Sequence, residues 1–179
     1  MNKPAQILFA EHEVITNAIA VMNEAENHIH DDSMRYETLM KTMLLFFRNY
    51  ADKYHHWKEE EVLFPEMIKK NELLEDGAIK EMLENHDDFR IMLRDAEVML
   101  EKKAYDATSK MLHVYAEALL DHIAVENEEI FQMLETLFDE SELEKIYFRF
   151  EDCDNELGLE DKIRMEELIQ KLSLPRHVQ

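Results

Sequence analysis

Residues 54–65 read YHHWKEEEVLFP, and this stretch sets a histidine and a glutamate four positions apart, at His55 and Glu59. On an α-helix, residues four apart lie one turn above the other on the same face. A neutral imidazole and a carboxylate in that arrangement can both reach one metal ion. Pro65 cannot continue an ordinary helix, so the sequence predicts that this helix ends or kinks there.

The composition predicts an all-α protein. The chain has 179 residues, of which 46% are hydrophobic and 34% charged, and this suits one domain with a core of its own. Two glycines and three prolines leave little material for the turns of a many-stranded protein. The expected architecture is an up-down-up-down four-helix bundle over residues 1–138, with a C-terminal helical extension, 139–179, packed on it.

The net charge and the cysteine content limit which partners and which cellular location are expected. The formal net charge of −21 repels phosphate backbones and anionic lipids, so neither nucleic acid nor a membrane is an expected partner, while a homodimer stays possible. Cys153 is the only cysteine, so no internal disulfide can form and a reducing cytoplasm is the expected location. The N-terminal sequence lacks the apolar run of a signal peptide, and no window approaches the roughly 20 apolar residues of a membrane span.

Apolar residues recur at helical spacing in four long stretches. The predicted long helices are Pro4–Ile29, Met34–Phe64, Ala78–Lys102 and Ala107–Phe138, followed by shorter ones at Glu140–Cys153 and Glu160–Leu172 with a turn at 154–158. Each long helix carries one histidine within its inward stripe, namely His12, His55, His86 and His122. His30 lies five turns from His12, so it is assigned to a helix end or loop.

Helical phase separates the glutamates that can join these histidines from those that cannot. The His55/Glu59 and His122/Glu126 pairs, four residues apart, both lie on inward stripes. His113 precedes His122 by nine residues, about 900° at 100° per residue, so His113 and Glu117 are expected on the surface. His56 and Glu60 lie about 100° off the inward stripe, which places them at the edge of the site or against a neighbouring helix.

The inward histidines and glutamates also fall at similar heights in an antiparallel bundle. Six side chains are therefore predicted to converge: His12, His55, Glu59, His86, His122 and Glu126. A buried glutamate is costly unless a cation pairs with it, so two metal ions bridged by the glutamates are favoured over a plain polar core. Imidazole and carboxylate ligands favour iron, manganese or zinc over calcium or magnesium.

Four ordered motifs give the chain a family resemblance. EHEVI at 11–15, HHWKEEEVLFP at 55–65, NHDDFR at 85–90 and HIAVENEEIF at 122–131 resemble the hemerythrin-like, or HHE cation-binding, family over about residues 5–138. The resemblance implies a di-iron centre of two Fe ions that binds oxygen or, in some members, nitric oxide or peroxide. It also implies that the four inward histidines are terminal ligands and that Glu59 and Glu126 are bridging carboxylates.

The sequence departs from the oxygen-carrying members at one position. Those proteins have a fifth histidine one turn after the position of His86, where this chain has Arg90, which stays protonated and cannot ligate. One iron then has a spare position, or His56 supplies a further ligand. Arg90 can anchor a bridging carboxylate or a bound anion, or point past the site. Tyr115, two turns before His122, is a donor behind the ligands, a redox-active group or an ordinary core residue.

The leading functional hypothesis is a cytoplasmic protein that binds or senses a small oxidant, O₂, NO or peroxide, at a di-iron centre. One alternative is an enzyme that reduces NO or peroxide or repairs iron–sulfur clusters, so whether the protein turns over is open. Another is a non-enzymatic interaction module whose metal, such as zinc, is structural.

Overall fold

The computed structural model describes residues 3–173, and within them every regular element is helical. The α-helices are α1 (Lys3–Ala25), α2 (Ser33–Phe46), α3 (Phe64–Lys70), α4 (Ala78–Glu101), α5 (Tyr105–Val125), α6 (Phe131–Leu137), α7 (Glu140–Leu157) and α8 (Leu159–Ser173). The all-α class is confirmed, while the up-down order and the division after residue 138 stay predictions. Residues 1–2 and 174–179 of the expected bundle and extension lie outside the described residues.

Three π-helical segments join some of these helices into longer runs. Phe47–His56 and Glu59–Leu63 connect α2 to α3, so the chain is helical without a break over 33–70. Glu126–Ile130 connects α5 to α6, so 105–137 is also one helical run. We call these runs the second and fourth long helices; α1 and α4 are the first and third.

Pro65 does not end the second long helix, which continues to Lys70. A proline lacks the N–H that would bond the carbonyl four residues earlier, here that of Glu61. Arg149 Nη2, on α7, donates a hydrogen bond of 3.1 Å to that carbonyl. The predicted helix end at Phe64 was wrong because a distant side chain supplies a donor that the proline removes.

The break between the last two helices is narrower than the expected turn at 154–158. Helix α7 runs to Leu157, and Gly158 alone turns the chain, with a φ of 105° that glycine adopts without strain. Tyr54 Oη, on the second long helix, lies 2.9 Å from the carbonyl oxygens of Leu157 and Gly158 and donates to them. Asp154 therefore belongs to α7, and the corner between α7 and α8 is fixed against the second long helix.

The apolar core forms two clusters with a polar layer between them. One cluster contains Ile15, Ala51 and Phe89, and the other contains Leu8, Val62 and Met82. Each long helix passes from one cluster to the other, and its histidine falls in the gap. Within residues 3–173, no helix is both long and apolar enough to cross a membrane.

Candidate metal centre

The polar layer brings all seven sequence-predicted ligands together, each no more than 3% exposed. Their ligand atoms form two groups, in each of which the atoms lie within 4.8 Å of one another. The first group contains His12, His55, Glu59 and Glu126, and the second contains His56, Glu59, His86 and His122. Glu59 belongs to both groups.

Each of the two glutamates presents one oxygen to each group. Glu59 Oε1 lies 3.5 Å from His55 Nε2, and its Oε2 lies 3.6 Å from His86 Nε2. Glu126 Oε2 lies 3.2 Å from His12 Nε2, and its Oε1 lies 3.2 Å from His122 Nε2. Two carboxylates that span both groups in this way suit a pair of bridged metal ions.

The π-helical segments explain why residues spaced four apart stay aligned over several turns. Glu59 and Glu126 each begin such a segment, and the amides of Phe64 and Phe131 bond back five residues to them. In a regular α-helix each step of four drifts by about 40°. A wider π turn removes that drift, and such turns are frequent at functional sites.

A repeat of four was visible in the sequence. From Phe46 to Leu63 of the second long helix, buried pairs recur every four residues: Phe46-Phe47, Tyr50-Ala51, Tyr54-His55, Lys58-Glu59 and Val62-Leu63. Phases computed at 100° per residue missed this repeat, and they placed His56 off the inward stripe. In the structure His56 is buried and its ring stacks on His86, with centroids 3.8 Å apart.

Side chains behind the histidines fix which ring nitrogen faces the site. His12 Nδ1 lies 2.8 Å from Asn127 Oδ1, His55 Nδ1 lies 3.0 Å from Glu11 Oε2, and His86 Nδ1 lies 2.8 Å from Glu60 Oε1. Because these oxygens accept hydrogen bonds, Nδ1 carries the proton and Nε2 keeps a lone pair directed inward. His122 differs, because its Nδ1 lies 3.4 Å from Asn85 Nδ2, an amide donor, and so this contact does not hold a proton on Nδ1. Such outer partners orient the histidines that ligate metals in other proteins.

The inward-facing nitrogens meet in pairs that suit a shared cation. His12 Nε2 lies 2.8 Å from His55 Nε2, and His86 Nε2 lies 3.1 Å from His122 Nε2. With both Nδ1 atoms protonated, the lone pairs of His12 and His55 face each other. Two nitrogens about 2.1 Å from one ion, at about 90°, are roughly 3 Å apart. A cation between them therefore turns a repulsive contact into a coordination geometry.

Unpaired atoms in the same layer point to the same conclusion. Within residues 3–173, the four carboxylate oxygens of Glu59 and Glu126 and both ring nitrogens of His56 are buried without a hydrogen-bond partner. Buried polar atoms are normally bonded, and an unpaired buried charge costs several kcal/mol. The donor set thus fits two metal ions better than a plain polar core.

Burial favours the neutral form of the histidines, which is the form that binds a metal ion, but it opposes ionisation of the two glutamates. It lowers the pKa of His55 to about 4 and holds the pKa values of His56 and His86 below their ordinary value, so these rings are neutral at pH 7. Burial and the nearby Glu126 carboxylate raise the pKa of Glu59 well above its usual range. Burial acts the same way on Glu126, but His122 and His12 outweigh it and lower its pKa.

Arg90 lies outside both groups. Its Nη2 lies 2.6 Å from Glu60 Oε1 and 2.7 Å from Asp52 Oδ1, and its Nη1 lies 3.0 Å from Asp87 Oδ1. Its guanidinium is thus matched by three carboxylates at the edge of the bundle. Among the alternatives for this residue, the structure places it past the ligands, and it reaches the second group only through Glu60 and His86.

Tyr115 and His113 occupy different surroundings. Tyr115 is buried, and its ring packs edge-on against Phe47 and Phe89, with centroids 5.1 Å and 5.7 Å away. The Phe89 ring also contacts His122, so an aromatic side chain connects Tyr115 to the second group. His113 and Glu117 are exposed and 3.5 Å apart, which is the surface pair that helical phase indicates.

Sequence reasoning missed a buried charge cluster of four residues behind His55: Glu11, Lys58, Asp154 and Lys162. Lys58 follows Tyr54 by four in the repeat described above, which was a readable signal for its burial. Asp154 and Lys162 gave no such signal. Burial raises the pKa of Glu11, but the hydrogen bond from His55 and the two lysines outweigh it and lower this pKa well below its usual range.

Comparison with known protein families identifies the family of this chain. A family model described as the hemerythrin HHE cation binding domain matches residues 3–134, a range that includes all seven candidate ligands. The match ends before α7 and α8. Comparisons with curated proteins and with solved structures found no match.

Proposed function

The chain belongs to the hemerythrin HHE cation-binding domain family, and on that premise we propose that it holds two iron ions and binds or senses a small oxidant such as O₂, NO or peroxide. The two spanning carboxylates, Glu59 and Glu126, carry the proposal. They are buried among histidine side chains and have no hydrogen-bond partner there, so a pair of cations is the arrangement that satisfies their carboxylates.

The donor set supports iron. Two histidines with carboxylates, leaving open positions, are typical of non-heme iron(II) sites, although manganese and zinc accept the same donors. The first group offers two imidazoles and the second offers three. The position open to a small molecule therefore lies on the side of the first group, where His12 and His55 would hold one ion.

The residues around the first group suit a small, uncharged ligand. The Phe131 ring stacks on His12, with centroids 5.4 Å apart, and contacts Phe9 in turn. These rings exclude water from that side of the layer. When bound, a di-ferrous pair supplies electrons to an oxidant at its open position. Asn127 and Glu11 keep the two histidines in the orientation that such a site needs.

The proposed location is the cytoplasm. Cys153 is the only cysteine in the chain, and its side chain is half-buried and not part of a disulfide. A chain without disulfides fits a reducing compartment.

Metal analysis of protein purified without oxygen tests the proposal. We expect about two iron ions per chain and a visible absorption band that changes reversibly when O₂ or NO is added and removed. Repeated consumption of peroxide or NO with a supplied reductant would show that the site turns over, as an enzyme does. A colourless protein that retains zinc and gives no spectral response would contradict the proposal and indicate a structural metal.

A further inference from the structure

The C-terminal helices contribute two members of the buried charge cluster. Asp154 lies on α7 and Lys162 on α8, both beyond the residues that the family model matches. Lys162 Nζ lies 2.6 Å from Asp154 Oδ2 and 2.6 Å from Glu11 Oε1. The extension therefore reaches through the bundle surface to a carboxylate on α1.

The cluster is balanced in charge. Lys58 Nζ, on the second long helix, donates to Glu11 Oε1 at 2.8 Å and also contacts Asp154. Two ammonium groups thus face two carboxylates in a largely buried place. Removing one partner of such a buried set leaves an uncompensated charge, which is strongly unfavourable. Both lysines are needed to keep Glu11 as a buried carboxylate.

Glu11 connects the cluster to the metal ligands. Its Oε1 accepts from both lysines, while its Oε2 accepts the hydrogen bond from His55 Nδ1 at 3.0 Å. The lysines hold one oxygen, and this places the other oxygen opposite the imidazole. The hydrogen bond keeps the His55 Nε2 lone pair directed at the first group, and a carboxylate partner also makes the imidazole a stronger donor.

We propose that Lys162 is a positioning residue of the metal centre, which acts through Glu11 to hold His55, and that the C-terminal extension is therefore part of the site. The inference rests on the proposed function, because it assumes that His55 ligates a metal ion. Its basis is the unbroken series of contacts from Lys162 to Glu11 to His55, each between buried side chains.

Anaerobic titration with Fe(II) against a competing chelator tests this role in the full-length chain. The variant Lys162→Met keeps most of the length of the apolar side chain and removes its charge. We expect it to bind the ion of the first group about tenfold or more weakly, the usual range for lost outer partners of metal ligands. The absorption band after exposure to air should shift as well, because the donor strength of His55 changes.

Glu166→Met is the matched control. Glu166 lies one turn after Lys162 on α8, and its Oε1 accepts a hydrogen bond of 2.7 Å from Tyr50. This variant also removes a contact between α8 and the second long helix, but it does not touch Glu11. We expect unchanged iron affinity and an unchanged spectrum. An equal loss of affinity in both variants would overturn the proposal, because docking of α8 in general would then explain it.

A double-mutant cycle separates positioning from a merely structural role. Glu11→Gln alone should weaken iron binding by about tenfold or more, and adding Lys162→Met should weaken it no further, because both changes act on the same hydrogen bond. If the double variant instead lost affinity by the product of the two single losses, Lys162 would act independently of Glu11 and the proposal would be overturned.

Two further results distinguish a failure of this inference from a failure of the proposed function. Wild-type protein that binds no iron would refute the proposed function and with it this inference, whereas wild-type binding with an unaffected Lys162→Met variant refutes the inference alone. Should that variant not fold, amide exchange in the wild-type chain replaces it. Coupling is reciprocal, so iron should slow exchange in α8 about tenfold, and unchanged exchange there would overturn the inference.

Discussion

Behind each of the two ligand groups in the polar layer, a carboxylate orients a histidine, but the surroundings of the two carboxylates differ. We call the first group with its carboxylate the first side, and the second group with its carboxylate the second side. On the first side His55 bonds to Glu11, whose charge is matched by two buried lysines under α7 and α8. On the second side His86 bonds to Glu60, whose charge is matched by the half-buried Arg90. A surface pocket of about 330 Å³ adjoins this second side, lined by Asp52, Lys53, Trp57, Glu60, Glu61 and Arg90.

The comparison shows that the strength of the charge pair behind each histidine depends on how far its surroundings exclude water. A charge pair away from water interacts more strongly than a pair near the surface, where solvent screens it. Each carboxylate orients a histidine, but the more deeply buried Glu11 depends more strongly on its cations for a stable charge than Glu60 does. The first side should therefore be sensitive to changes behind the ligands, and the second side should tolerate them.

The largest effect is expected where the two sides share a ligand. Glu59→Ala removes the carboxylate that belongs to both groups, so metal content should fall from about two ions per chain to less than one. Metal analysis after anaerobic loading measures this. His113→Ala serves as the control, because that exposed histidine should leave metal content intact. Equal losses in both variants would show that the fourth long helix presents a different face to the layer.

A smaller effect should distinguish the sides from each other. His12→Ala leaves the first group with one imidazole, whereas His56→Ala leaves the second group with two. We expect the first variant to lose about one ion per chain. The second should still hold about two at saturating iron, with weaker affinity. If only the His56→Ala variant lost an ion, the second side would be the more sensitive one, and the expected order of the two sides would be wrong.

The pH dependence of the free energy of unfolding should show that the histidines of both groups are buried away from water. The pKa of His55 falls from 6.5 to about 4 in the folded chain, and those of His56 and His86 are lowered too, so below pH 6.5 the unfolded chain binds more protons. Glu59, with its raised pKa, opposes this with one proton. Three histidines outweigh one glutamate, so metal-free stability should fall as pH drops from 6.5 towards 4.

The size of this loss follows from linkage. The full shift of His55 corresponds to about 3 kcal/mol, since each pKa unit is about 1.4 kcal/mol, and about 2 kcal/mol of it should be lost between pH 7 and pH 5. Urea unfolding of the metal-free protein at pH 7 and pH 5 measures the difference. Equal midpoints at the two pH values would mean that the histidines are hydrated in the absence of metal.

The smallest effect on iron affinity is expected for Arg90, whose charge pairs with Glu60 on the second side. Arg90→Met removes a partner of Glu60, but a half-exposed pair contributes up to about 1 kcal/mol, so iron affinity should fall by no more than about fivefold. Arg164→Met, at an exposed arginine of α8, is the control. A loss for Arg90→Met as large as that expected for Lys162→Met would remove the distinction between the two sides.

Most of the candidate ligands could be predicted from the sequence because their pattern is local. Spacings of three and four fix which residues share a helical face, and the cost of burying Glu59 and Glu126 is enough to indicate a cation between them. Helical phase also separated the exposed His113 from the buried His122. Each of these inferences needs only the geometry of one helix and the chemistry of its side chains.

Other features depend on residues that are far apart in the chain. The second long helix passes Pro65 because Arg149 donates to Glu61, and His55 is fixed by Glu11, which Lys162 contacts from α8. His56 entered the site through π-helical turns, for which a phase of 100° per residue does not hold.

The sequence by itself determined the helical class and the helix faces that carry most of the candidate ligands, because helical periodicity and the cost of burial act within a single helix. Only the tertiary structure decided which charges meet behind those ligands, because electrostatic contacts between buried groups depend on how separate helices pack.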